Sequence, residues 1–167
     1  KTISLDTAWQ FITVSRAFEV YGGISMEKAI ETDRFDEIMA FDIEPRLGEG
    51  SPAFLFDYPA AMGALARLKP GTPAIAERFE LYIAGMELAN GFSELTDPVE
   101  QEQRFKKEIS LRKAAGKPLT PIPYKFLSAI EHMPDTAGIA LGIDRLVMLF
   151  ANADSIDKVV AFTPETL

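Results

Sequence analysis

Three glutamates stand in one short apolar stretch, Glu80-Leu-Tyr82-Ile-Ala84-Gly85-Met-Glu87-Leu88-Ala89-Asn90-Gly91-Phe92-Ser-Glu94. Glutamate is depleted in strands, and a buried carboxylate without a partner is expensive. If the chain turns at Ala84-Gly85, Tyr82 faces Glu87 and Glu80 faces Ala89. Glu80 and Glu87 then share a face as diagonal neighbours, within reach of a common ion. Two like charges that close either raise a pKa or hold a cation. Mg²⁺ suits them, because it takes one or two carboxylates together with nucleotide phosphates. Strict alternation puts Asn90, Phe92 and Glu94 on the opposite face, so a common pocket requires a bulge, for which Asn90-Gly91 is the natural place. The same spacing also describes a wet edge hairpin with surface glutamates, and the pattern alone does not separate the two.

A second segment, Gly138-Ile-Ala140-Leu-Gly142-Ile-Asp144-Arg145, reads as a strand running into a helix. Gly142 leaves room for a ligand near the backbone, and the helix start offers amide donors. Arg145 falls in the first turn, where a cation opposes the helix dipole and calls for a carboxylate, a phosphate or an aromatic plane as partner. The spacing matches neither a Walker loop nor a dinucleotide fingerprint, and a structural glycine with a surface arginine would account for it equally well.

The elements that must position these residues are legible in outline. Trp9 to Val14 reads as extended, Ser15 caps a helix from Arg16 to Tyr21, and Gly22-Gly23 stops it. Ser25 caps another helix, and Asp33 to Ile43 has helical periodicity. Ala53 to Tyr58 reads as a strand, followed by a short Ala-rich helix to Leu68 and a loop from Lys69 to Pro73. Ala76–Ile83 and Met86–Leu95 form a hairpin. Asp97-Pro98 opens a long charged helix ending near Gly116, and Tyr124 to His132 forms a shorter one. A strand at Gly138–Ile143, a helix at Asp144–Phe150 and a last strand at Val159–Phe162 complete one α+β domain, residues 1–167, with helices packed on a largely antiparallel sheet.

Composition narrows the chemistry. The chain has 167 residues, 47% hydrophobic and 25% charged, with a formal net charge of -8. The acidic balance argues against direct nucleic-acid binding by this segment, and the basic cluster Arg104, Lys106, Lys107, Arg112, Lys113 and Lys117 reads as a solvated helix face. Without cysteine there are no disulfides, thiolate metal sites or thiol nucleophiles, which fits a reducing cytoplasm. No apolar run approaches the ~20 residues of a membrane span. The single histidine, His132, sits beside Met133-Pro134 at a helix end, in a structural setting.

Taken together, Glu77-Arg-Phe-Glu80-Leu-Tyr82, Met86-Glu87-Leu88-Ala-Asn90-Gly-Phe92-Ser-Glu94-Leu95 and Gly138-Ile-Ala140-Leu-Gly142-Ile-Asp-Arg145-Leu146 resemble the C-terminal catalytic motifs of class II lysyl-tRNA synthetases, the last being their motif 3. The likeness runs from about Trp9 to the end of the chain. It implies a class II synthetase-like antiparallel sheet flanked by helices, ATP and Mg²⁺ as cofactors, and a lysine-type amino acid as substrate. By position, Glu80 and Glu87 match the glutamates that hold magnesium on ATP, and Leu88 and Gly142 fall at nucleotide-contacting positions. Arg145 matches the arginine that packs on adenine, and Glu87 and Arg145 would serve catalysis. Asn90, Phe92, Glu94 and Ala140 match the amino-acid pocket, with Glu94 pairing with the substrate's side-chain ammonium.

Four details resemble the elongation factor P (R)-β-lysine ligases more than the synthetases proper. Ala140 stands where synthetases carry a third glycine, Pro134-Asp135 replaces Pro-Pro, and Tyr58-Pro59-Ala-Ala-Met-Gly-Ala64-Leu65 lacks the proline that synthetases usually have before that leucine. Near its C-terminus the chain also reads Ala161-Phe162-Thr163 in place of Phe-Pro. That resemblance implies elongation factor P as acceptor and a homodimer in the full-length protein. A C-terminal piece of an ordinary lysyl-tRNA synthetase and a non-catalytic paralogue remain open. Nothing resembles motif 1 or motif 2; the expectation is that both lie upstream of Lys1, and that this segment alone is inactive.

Overall fold

The structure, a computed structural model, describes residues 2–163. Six strands are arranged β1-β2-β4-β5-β6 with β3 paired to β4, and helices flank this mixed sheet in an α+β architecture. The strands are β1 (Gln10–Thr13), β2 (Ala53–Pro59), β3 (Leu68–Lys69), β4 (Thr72–Ile83), β5 (Met86–Ser93) and β6 (Ala137–Leu141). The helices are α1 (Val14–Ala17), α2 (Met26–Glu31), α3 (Phe35–Ile38), α4 (Pro98–Ala114), α5 (Tyr124–Ile130) and α6 (Ile143–Ala151). β1 and β2 run parallel, Gln10 opposite Ala53 through Thr13 opposite Phe56. Contacts divide the chain into two compact units: residues 1–57, 79–91 and 139–167, and residues 58–78 and 92–138.

In the first unit, Thr13 rather than Ser15 caps α1, its hydroxyl accepting from the Arg16 N–H at 3.2 Å. The helix widens into a π-turn over Phe18–Gly22 and stops at Gly23, φ 68°. Ser25 caps α2 as the sequence indicates. The predicted helix from Asp33 begins only at Phe35, because Asp33 adopts a left-handed φ of 55°. Its apolar periodicity continues through a second π-turn at Met39–Ile43. Val14, Ala17, Phe18, Ile38 and Ile43 are all at most 1% exposed. Burying a side chain such as Phe18 contributes about 1.5–3 kcal/mol.

Edge strand β6 is exposed along its length, with Ile139 64% exposed, and Phe150 of α6 is 84% exposed. Beyond α6 the predicted strand at Val159–Phe162 is absent. The Val159 and Val160 N–H groups both bond back to the Ile156 carbonyl, which commits them to a tight turn.

In the second unit, the Ala-rich stretch after β2 makes only a 3₁₀ turn, Ala60–Met62. Leu68–Lys69 pairs with β4, which starts at Thr72, four residues ahead of the predicted Ala76. Asp97 caps α4 through its carboxylate, which accepts from Val99 at 2.8 Å and Glu100 at 3.1 Å. The reading of the whole basic cluster as solvated fails at Arg104. Its Nη1 donates to the Ala64 carbonyl at 2.9 Å and the Ala66 carbonyl at 2.8 Å, while Nε donates to Glu100. Those carbonyls lie in a turn that makes Ala64 left-handed, φ 45°, and the guanidinium supplies donors that the turn's own backbone does not.

Candidate active site

The β4–β5 hairpin turns at Ala84-Gly85, as the sequence indicates. Both residues have positive φ, 57° and 79°, the backbone of a tight two-residue turn whose twist suits the flanking strands. Glu80 is 6% exposed, and each of its carboxylate oxygens accepts a hydrogen bond. The Tyr82 hydroxyl donates to Oε2 at 2.7 Å and the Asn90 amide donates to Oε1 at 3.0 Å. In a strictly alternating hairpin with this turn Asn90 would face away from Glu80. Their hydrogen bond therefore places the break in alternation ahead of Gly91, and Leu88 and Ala89, consecutive yet each 3% exposed, mark the same irregularity.

β6 brings the second motif alongside β5. The Gly142 N–H donates to the Leu88 carbonyl at 2.8 Å, so that amide is committed to the fold. Arg145, in the first turn of α6, finds its partner in Glu87: Nη1 donates to the Glu87 carbonyl at 2.8 Å and to its carboxylate at 3.2 Å. A cavity of about 270 Å³ opens here, lined among others by Glu87, Leu88, Asn90, Ala140, Gly142 and Arg145. Six of the nine residues singled out from the sequence thus meet around one space, and a seventh, Glu80, is hydrogen-bonded to one of those six, Asn90. A larger cavity, about 430 Å³, is lined by Ile83, Met86, Leu146, Met148 and Phe150 and presents no charged group.

Phe92 and Glu94 belong to the second unit, where both are half-buried. The Glu94 N–H donates to the Thr136 carbonyl at 2.9 Å. Its carboxylate lies against Gly138, where an added Cβ would fall 2.9 Å from Oε1. Beside it, Arg67 pairs with Glu77 at 2.9 Å and with Asp135 at 2.7 Å. Burial opposes ionisation of Glu77, but hydrogen bonds from Ser93 and Arg67 outweigh it and hold the carboxyl below its ordinary range.

Sequence reasoning gave no role to Glu44 and Tyr82 in the first unit or to Gly138 in the second. Glu44 follows the helical segment after Asp33 and opens a 3₁₀ turn, Glu44–Arg46. Burial, then the negative charges of Glu80 and Glu87, push its carboxyl above the ordinary range. Nothing local in Ile43-Glu44-Pro45 signals this; the contact is tertiary. Gly138 could have been found, since a glycine inside a strand implies that another group comes close to its backbone.

These donors are all oxygen, which suits a hard divalent cation, and the field of Glu80 and Glu87 at Glu44 is one that a cation would relieve. Among the described residues no group of three acidic, histidine or cysteine side chains is close enough to hold a metal by itself. The arrangement therefore fits a cation shared with a phosphate-bearing ligand better than a closed metal cage.

Residues 2–166 match the family of class II tRNA synthetases (D, K and N), and the chain belongs to it. Within that family the chain is similar to proteins named elongation factor P–(R)-β-lysine ligase. It is 48% identical over 126 residues to the one from Vibrio cholerae and 47% over 127 residues to that from Edwardsiella ictaluri, in each case 75% of this chain and 39% of the relative. The Pectobacterium carotovorum protein of the same name is 45% identical over 129 residues, 77% of this chain and 40% of the relative. The chain thus spans about 39% of the length of the curated relatives it matches.

Proposed function

We propose that the intact protein activates (R)-β-lysine with ATP and transfers it to a lysine side chain of elongation factor P. The observation that carries this reading is the identity of about 47% to proteins bearing that ligase name, over 75% of this chain. In the first step an oxygen of the amino acid's carboxylate attacks the α-phosphorus of ATP, the bond to the bridging oxygen breaks, and pyrophosphate leaves. In the second the acceptor amine attacks the adenylate's carbonyl carbon, AMP leaves, and the amine loses a proton as the amide forms.

No protein nucleophile is required; the residues position groups and complement charge. Arg145 offers a planar cation to the adenine face. Leu88 and Gly142 fall at the nucleotide-contacting positions, Gly142 leaving room for a ligand near the backbone. Asn90, Phe92 and Glu94 would serve the amino acid, Glu94 by pairing with its side-chain ammonium. Ala140 narrows the space at the substrate's backbone end. Glu80 and Glu87 are the residues that would hold magnesium, which supplies neutralisation of phosphate charge when bound. Incubating the intact protein with ATP, labelled (R)-β-lysine and elongation factor P tests the reading directly. Label must enter elongation factor P and must not when its acceptor lysine is replaced; label appearing on tRNA instead would overturn it.

A further inference from the structure

We infer that Arg104, on α4, is a positioning residue for the amino-acid pocket, clamping residues 64–66 against the strand that carries Glu94. The inference rests on the reading of Glu94 as the partner of the substrate's ammonium and extends it to a residue outside the three motifs.

Within the second unit the Glu94 backbone has a neighbour on each side. On one side its N–H donates to the Thr136 carbonyl at 2.9 Å. On the other, Ala66 stands opposite it in an isolated antiparallel bridge. Two hydrogen bonds flank that pair, from the Arg67 N–H to the Ser93 carbonyl at 2.8 Å and from the Leu95 N–H to the Leu65 carbonyl at 3.0 Å. In a pair flanked this way the two side chains lie close on one face, so Ala66, 0% exposed, forms part of the wall along Glu94. The chain enters this wall through Ala64, whose left-handed φ of 45° is strained for a residue with a Cβ.

Arg104 supplies what a single bridge lacks. Leu65 turns its carbonyl toward the Glu94 strand, while the carbonyls of Ala64 and Ala66 both accept from Arg104 Nη1, at 2.9 and 2.8 Å. One nitrogen thus fixes the carbonyls on either side of the residue that reaches Leu95. The guanidinium is itself held: Nε and Nη2 donate to one oxygen of Glu100, a turn earlier on α4, Nε at 3.1 Å. The Arg104 side chain is 21% exposed, and Gln101, on the same helix face, is 1% exposed, so this face of α4 is seated against the unit. An arginine suits the task, since its planar fork serves two carbonyls and a carboxylate at once. A misplacement of about 1 Å in the groups that orient a substrate can cost on the order of 100-fold in rate.

The test is ATP–pyrophosphate exchange by the intact protein, with (R)-β-lysine and ATP varied in turn. The variants are Arg104→Ala, Arg104→Lys, Glu94→Gln and the Arg104→Ala/Glu94→Gln double, with Asp97→Ala as a control that weakens the N-terminus of α4 without touching the turn. Arg104→Ala should raise the KM for (R)-β-lysine about tenfold and leave that for ATP within about twofold of wild type. Arg104→Lys keeps the charge and a donor, should fall between wild type and Arg104→Ala, and carries the test where the alanine variant does not fold. The double variant should stay within about twofold of Glu94→Gln alone, since Arg104 acts through Glu94. Asp97→Ala should lower the melting temperature and leave both KM values unchanged. Equal rises in both KM values for the Arg104 variants, or a rise in Asp97→Ala matching that of Arg104→Ala, would leave Arg104 a purely structural role and overturn the inference. Multiplying effects in the double variant would do the same. No exchange by the wild type, or an unchanged amino-acid KM in Glu94→Gln, would overturn the functional reading and this inference with it. A raised KM in Glu94→Gln beside unchanged values in both Arg104 variants overturns this inference alone.

Discussion

Arg145 holds Glu87 at two points, its backbone carbonyl at 2.8 Å and its carboxylate at 3.2 Å, and so ties the first turn of α6 to the glutamate strand β5. One guanidinium nitrogen makes both contacts, which leaves the planar face of the group uncommitted by them. A half-exposed pair of this kind adds about 1 kcal/mol or less to stability. Its value lies in orientation: the carboxylate and the cation that would flank a nucleotide are fixed relative to each other before it arrives.

Replacing Arg145 by alanine should therefore weaken ATP binding about 3- to 30-fold, the range of a lost cation–π contact, while moving the melting temperature little. Arg145→Lys should keep part of the ion pair and lose the stacking, so its ATP affinity should fall nearly as far. Equilibrium ATP titration of the intact protein checks both, and unchanged affinity in Arg145→Ala would count against the adenine role.

Glu94→Gln should raise the KM for the amino acid about tenfold or more and leave the KM for ATP near the wild-type value, because it removes a charge-assisted contact to the substrate's ammonium. Gly138→Ala should act in the same direction, since the added methyl falls 2.9 Å from the Glu94 carboxylate and must displace it. Steady-state kinetics with each substrate varied in turn separates these outcomes from a general loss; equal changes in both KM values would contradict the assignment.

Gly48→Ala should destabilise the protein by more than about 2 kcal/mol. Gly48 has φ 72°, and its new methyl would meet the Tyr82 carbonyl at 2.5 Å. Gly71 offers the control: its φ is 77° but nothing lies within 4 Å of an added Cβ, so Gly71→Ala carries the backbone strain without the clash. Chemical denaturation of both variants measures the difference.

Acid sensitivity should concentrate at Glu77. Its carboxyl is held below the ordinary range in the folded state, so ionised Glu77 stabilises the fold at neutral pH. That contribution is present above the unfolded pKa and is lost as pH falls through the depressed folded value. Glu77→Gln should cost on the order of 1 kcal/mol at pH 7, and the gap between mutant and wild type should narrow as pH falls toward the depressed folded value. Melting temperatures recorded from pH 7 down to 3 test this; a constant gap across the range would show that Glu77 acts by packing alone.

What was legible in the sequence were features set by local chemistry or by long motifs. The hairpin turn needs two residues of positive φ, and Ala84-Gly85 supplies them; Ser25 and Asp97 are caps by the geometry of their short side chains. Six of the nine motif residues line one cavity, as long and ordered motifs allow. What escaped depends on tertiary partners. Asp33 looks helical by periodicity yet turns left-handed, Val159 and Val160 look strand-like yet bond back to Ile156, and Arg104 looks solvated yet satisfies the carbonyls of a distant turn. Glu44 lies 36 residues before Glu80 in the sequence, and only the fold places its carboxyl where it feels Glu80 and Glu87.

ATP–pyrophosphate exchange by the intact protein, run in parallel with (R)-β-lysine and α-lysine, tests the central claim most directly. The proposed function predicts rapid exchange with (R)-β-lysine and much slower exchange with α-lysine. Preference for α-lysine would contradict it and mark the protein as a lysyl-tRNA synthetase, and exchange with neither would mark a paralogue that has kept the motifs without the reaction.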